Sequence, residues 1–77
     1  MIQLSGTGLH CLAAGTRAGI AGFEGRTARL VVLDRAGREQ ELSVRAGDVF
    51  SAGDRHWRVV AIEGGASRAV MLEPADA

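Results

Sequence analysis

The 77-residue chain predicts an all-β fold, a small antiparallel β-barrel or compact sandwich of roughly six to seven short strands, and three observations carry that prediction. Eleven glycines and one proline punctuate the chain, and the longest stretch free of both runs only from Arg26 to Ala36. A helix of ordinary length has almost nowhere to form, because an internal glycine costs about 1 kcal/mol relative to alanine. Between the breaks lie short segments rich in Val, Leu and Ile, several with a period of two. Residues that favour turns bound these segments.

The first 26 residues are glycine-rich and alternate weakly at Leu9, Cys11 and Ala13 before a second apolar stretch from Ile20 to Phe23, so two strands are expected there. Residues 27–73 form a core of hairpins. Leu30-Val31-Val32-Leu33 runs into Asp34-Arg35-Ala36-Gly37 and returns as Arg38 to Val44. Asp34 can accept bonds from the turn's own amides and Gly37 can take positive φ, as a type I turn with a glycine bulge requires. The returning strand sets Gln40, Leu42 and Val44 on one side and Glu39, Glu41 and Ser43 on the other, so one face meets solvent.

Arg45-Ala46-Gly47-Asp48 then forms a turn into Val49-Phe50-Ser51, which Ala52-Gly53-Asp54 joins to the run His56 to Glu63. A break at Glu63-Gly64-Gly65-Ala66 leads to a last strand near Arg68 to Glu73, closed by Pro74, which lacks an amide donor. Residues 74–77 are expected to be a loose tail. Arg-Ala-Gly recurs at 17, 35 and 45, but with unequal spacing, and reads as shared turn chemistry rather than a repeat.

Leu30 to Leu33, Val59 to Ile62 and Ala69 to Leu72 are apolar at four successive positions, which makes both faces of those strands apolar. Leaving Val31 and Leu33, or Val60 and Ile62, in water forgoes roughly 1.5–3 kcal/mol for each side chain. Cover by the N-terminal strands or by a second sheet is the first expectation. A homodimer interface or a ligand surface is the alternative.

A chain of this length has room for one domain, and an apolar fraction of 47% with 23% charged residues marks it as globular. The nine basic and nine acidic residues cancel, leaving no net field to hold a polyanion, so nucleic acid is not an expected partner. Every basic residue is arginine, which reads as the coding bias of a GC-rich genome. Cys11 is the only cysteine, which excludes an intrachain disulfide, points to a reducing cytoplasm, and reads as a small buried apolar residue, with a reactive thiol or an intermolecular disulfide as the alternative. No apolar run approaches the roughly 18–20 residues that span a bilayer, so no membrane partner is expected. The opening stretch to Leu12 lacks the positive charge and small cleavage residue of an export signal.

The inventory for chemistry is sparse: two histidines, one cysteine, no tyrosine and no lysine. His10 and Cys11 are adjacent, and on a strand they point to opposite faces, so they cannot act as a nucleophile–base pair. No paired-cysteine, His-Glu-x-x-His or calcium-loop spacing exists, and no metal or cofactor is expected. Gly6-Thr7-Gly8 and Gly19-Ile20-Ala21-Gly22 lack the lysine and helix start of a phosphate loop. The expectation is therefore a protein without catalytic residues.

Trp57 can serve either as a core residue or as a recognition anchor. In an unbroken strand His56 and Arg58 project oppositely to Trp57, onto the face that carries Val60 and Ile62. His56, Trp57, Arg58, Val60 and Ile62 are accordingly the candidate ligand or partner surface. Gly47-Asp48-Val49-Phe50, then Gly53 to Val59 with Trp57-Arg58-Val59, and the closing Val70-Met71-Leu72-Glu73 resemble the C-terminal half of a family of small actinobacterial all-β domains of unknown function, chiefly over residues 45–73. The resemblance implies a barrel-like or sandwich fold and a GC-rich bacterial source, and it carries over no catalytic residue. The functional expectation is a non-catalytic binding or protein-interaction module, homodimeric or holding a protein partner or small apolar ligand. The alternative is a small-molecule-sequestering accessory protein of a bacterial specialised metabolic pathway, with a cavity at one end of the fold.

Overall fold

The computed structural model describes residues 2–6, 8–13, 15–64 and 68–75, and the regular structure assigned to them is all strand and turn. Eight strands, rather than six or seven, build it: β1 (Ile2–Ser5), β2 (His10–Ala13), β3 (Thr16–Glu24), β4 (Thr27–Leu33), β5 (Glu39–Val44), β6 (Val49–Ala52), β7 (Arg55–Glu63) and β8 (Ala69–Pro74). The additional strand is β1. The N-terminal segment contains three strands where alternation predicts two, because Ile2–Ser5 gains its hydrogen bonds from β8 at the far end of the chain.

The strands form two antiparallel four-stranded sheets, ordered β1-β8-β7-β6 and β2-β3-β4-β5, that share one core without closing into a barrel. Leu4, Trp57, Val59, Val70 and Leu72 come from the first sheet and Leu12, Ala18, Ile20, Leu30, Val32 and Val44 from the second. This resolves the predicted barrel-or-sandwich alternative as a sandwich. Trp57 is 2% exposed, and its indole N–H donates to the Ala52 carbonyl at 3.1 Å, so it is a satisfied core residue and not a surface anchor.

The predicted Asp34 hairpin forms as expected. Asp34 Oδ1 accepts the amides of Ala36 and Arg38, both at 2.9 Å; the Gly37 amide donates to the Asp34 carbonyl at 3.0 Å, with φ +82° at Gly37. Along β5, Leu42 and Val44 pack inward and Glu39, Glu41 and Ser43 meet solvent. Replacing Asp34 by alanine removes both side-chain bonds, and urea denaturation is expected to show a loss of about 1–2 kcal/mol. The predicted break at Glu63-Gly64-Gly65-Ala66 lies partly outside the described residues, as do Asp76 and Ala77 of the tail. Ala75 is tied down by its amide, which donates to the His56 carbonyl at 2.8 Å.

The two sheets repeat one plan in a way the sequence does not display. Each has a short strand, a nine-residue strand that starts three positions further on, and two further antiparallel strands: β2-β3-β4-β5 in one, β6-β7-β8 and then β1 in the other. Both nine-residue strands carry a register shift at the same place, between Ile20 and Gly22 in β3 and between Val59 and Ala61 in β7. An extra residue at such a bulge reverses which side chains face the core from there onward. Ile20 and Phe23 therefore both pack inward, as do Val59 and Ile62, although an unbroken strand sends the second of each pair outward.

That reversal corrects the predicted face. Ile62 does not share a surface with Val60: it pairs with the fully buried Val70 and packs against the core, while Val60 stays 40% exposed. Cys11 is likewise exposed rather than buried, since β2 puts it opposite Arg17 in the outward-facing row of the second sheet. No helix among the described residues is long and apolar enough to cross a membrane.

Candidate functional site

The five residues nominated from sequence separate into two groups. His56, Arg58 and Val60 lie on the outer surface of β7, whereas Trp57 and Ile62 belong to the core side. On the outer surface Arg58 donates to Glu73 Oε1 at 2.8 Å, and both side chains are partly exposed. Such a pair contributes little to stability, but it engages the guanidinium. Val49, opposite Arg58 on β6, is 51% exposed. The exposed apolar side chains Val49 and Val60 are thus accompanied by charged groups on this surface.

A larger concavity lies at one end of the sandwich, a cleft of about 760 Å³. Three segments frame it. The β3–β4 hairpin supplies Glu24, Gly25, Arg26 and Thr27; the β5–β6 turn supplies Arg45 and Ala46; Ile62 near the end of β7 and Gly64 just past it complete the lining. Glu24 and Gly25 in one sheet occupy the places that Glu63 and Gly64 occupy in the other, one and two residues past the inward-turned Phe23 and Ile62. The bulges thus carry the strands to this end with an apolar side chain facing between the sheets, and Ile62 becomes part of the wall.

The β5–β6 turn is held firmly. The Arg45 amide donates to Asp48 Oδ2 at 2.9 Å and the Asp48 amide to the Arg45 carbonyl at 3.0 Å. The Gly47 amide donates to the Val59 carbonyl at 2.7 Å, and the Val59 amide to the Asp48 carbonyl at 2.8 Å, which anchors the turn beside the β7 bulge. Nearby, the Arg68 guanidinium lies over the Phe23 ring, 5.5 Å from its centroid, a cation–π contact between the two sheets. The ion pairs among the described residues are Arg29–Glu41 and Arg58–Glu73, both away from the cleft, so neither Arg26 nor Arg45 has a carboxylate partner there.

A second depression, of about 300 Å³, lies where Thr16, Gly53, Asp54 and the Asp34–Ala36 turn meet. It is shallower, and the Asp34 carboxylate beside it is occupied by the turn amides.

His10 does not assemble a catalytic pair with Cys11. Its Nε2 lies 3.1 Å from the Ser5 carbonyl oxygen and 3.3 Å from the Ser5 amide nitrogen, and the ring tautomer sets which of the two it engages. The Cys11 thiol instead donates to the Ala13 carbonyl at 3.4 Å on its own strand. Among the described residues, no three or more His, Cys, Asp or Glu side chains gather in a way that could hold a metal ion.

Arg26, Arg45 and Glu24 have no marker in the sequence, since the two arginines stand in turns of ordinary composition and Glu24 is the last residue of a strand. Their convergence depends on the pairing of β3 with β4 and on the Val59 bonds that carry the β5–β6 turn across to β7. Comparison with protein-family models, with curated proteins and with solved structures finds no significant match.

Proposed function

We propose that this protein is a non-catalytic binding module that holds a small organic ligand in the cleft at the end of the sandwich. One observation carries the reading: a concavity of about 760 Å³ combines an apolar wall at Ile62 with two arginines, Arg26 and Arg45, that have no ion-pair partner among the described residues. A few charged groups around an apolar wall is the usual make-up of a small-molecule site. The rigid β5–β6 turn lowers the cost of ordering on binding. A sequestering role in a metabolic pathway is consistent with this arrangement.

A protein partner on the outer surface of the first sheet is the second reading, favoured by the exposure of Val49 and Val60 beside His56 and Arg58. Melting in the presence of a small-molecule library distinguishes the two. At a ligand concentration near ten times Kd, binding adds about 1.4 kcal/mol, and Tm is expected to rise by at least about 5 °C. Ala46→Trp, which fills the cleft from an exposed turn position, abolishes that rise, and Val60→Glu leaves it intact. The opposite pattern assigns binding to the outer surface.

A further inference from the structure

We infer that the cleft is built for an amphiphilic monocarboxylate, an organic acid with one ionised carboxyl group and an apolar body. This assignment rests on the cleft being the ligand site and adds the chemical class of its occupant. Arg26 and Arg45 enter from different turns, and Glu24 is the one carboxylate-bearing residue among the described residues that line the same space. Two positive charges against one negative leave the lining with a single net positive charge, which one carboxylate neutralises. A phosphate dianion exceeds that charge and is repelled by Glu24 about twice as strongly as a single carboxylate.

The guanidinium fork matches the two oxygens of a carboxylate and forms charge-assisted bonds, stronger than those between neutral groups. The Arg45 backbone is already held by its two bonds with Asp48, so the turn that carries the side chain is ordered before a ligand arrives. Ile62 and Ala46 supply the apolar side of the cleft, and a short hydrocarbon body against them leaves water while its carboxylate stays at the rim. Arg68 and Glu63 stand at the same end outside the lining and offset one another in charge.

The test is an amide NMR titration of the full chain with octanoate, octanol and octyl phosphate. Octanoate is expected to shift the amides of Gly25, Arg26, Arg45, Ala46 and Gly64, with octanol at least roughly tenfold weaker and octyl phosphate no tighter. Arg45→Gln and Arg26→Gln each weaken octanoate by roughly tenfold, and neither side chain makes a hydrogen bond or ion pair among the described residues. Glu24→Gln tightens octanoate a few-fold by removing a like charge, a gain that no folding defect produces.

Octanol binding in the cleft as well as octanoate overturns the monocarboxylate assignment while leaving the cleft as the binding site. Octyl phosphate binding tenfold tighter than octanoate overturns it in favour of a phosphate ester. No shift at the cleft amides with any of the three also overturns it, and the library melts with Ala46→Trp then decide the broader reading separately.

Discussion

Trp57→Ala is expected to leave the protein largely unfolded at room temperature. Truncating a buried tryptophan costs about 3–5 kcal/mol, from lost transfer energy and the cavity left behind. A single core in a chain this small rarely supplies more than about 3–5 kcal/mol, so the loss takes most or all of the stability. Trp57 is 2% exposed, bridges the β6–β7 hairpin through its bond to Ala52, and is among the largest fully buried side chains. Trp57→Phe keeps most of the ring and gives up the indole N–H, at roughly 1–2 kcal/mol. Circular dichroism with urea titration reads both. A native-like, cooperative transition for the alanine variant contradicts the placement of this side chain at the centre of the core.

The second large effect is expected at Gly53, in the two-residue β6–β7 turn. Both central residues have φ near +62°, as a type I′ turn demands, and the second of them is Asp54. A Cβ on Gly53 meets Thr16 Oγ1 at 2.9 Å, the Ala13 Cβ at 3.0 Å and the Thr16 Cβ at 3.1 Å, because this turn packs on the end of β2 and the start of β3 in the opposite sheet. Gly53→Ala therefore combines backbone strain of about 1–2 kcal/mol with overpacking of about 1–3 kcal/mol. Gly37→Ala is the control: φ there is also positive, yet nothing lies within 4 Å of the added carbon, so only the strain of about 1–2 kcal/mol remains. Equal losses at the two glycines in urea denaturation contradict the packing of the β6–β7 turn on Ala13 and Thr16.

What the sequence disclosed follows from where the chemistry is local. The Asp34–Gly37 turn was legible because an aspartate that satisfies neighbouring amides and a glycine that takes positive φ are visible in four consecutive residues. The inward–outward order of β5 was legible because Leu42 and Val44 alternate with glutamate and serine. β1 was hidden: Ile2–Ser5 is short, and its partner β8 lies almost the whole chain away.

The bulge in β7 was hidden for a different reason. Val59 to Ile62 are all apolar, so no polar residue marks the point where the inward side changes. The surface assigned to Val60 and Ile62 therefore rested on an alternation that the backbone interrupts. The same silence concealed the cleft, since Ile62 becomes available to it only when that change occurs. Arg26 and Arg45 belong to turns whose composition carries no sign of convergence, and it takes both sheets in register to bring them together.

The register of β7 against β8 is therefore the most direct measurement. Cross-strand nuclear Overhauser effects between backbone protons are expected to connect Val59 with Leu72, Ala61 with Met71 and Ile62 with Val70, the pairing of a bulged strand with Ile62 facing the core. Effects connecting Ala61 with Val70 and Ile62 with Ala69 instead describe an unbroken ladder. In that case Ile62 lies on the outer surface with Val60, and the cleft loses the apolar wall on which its proposed role depends.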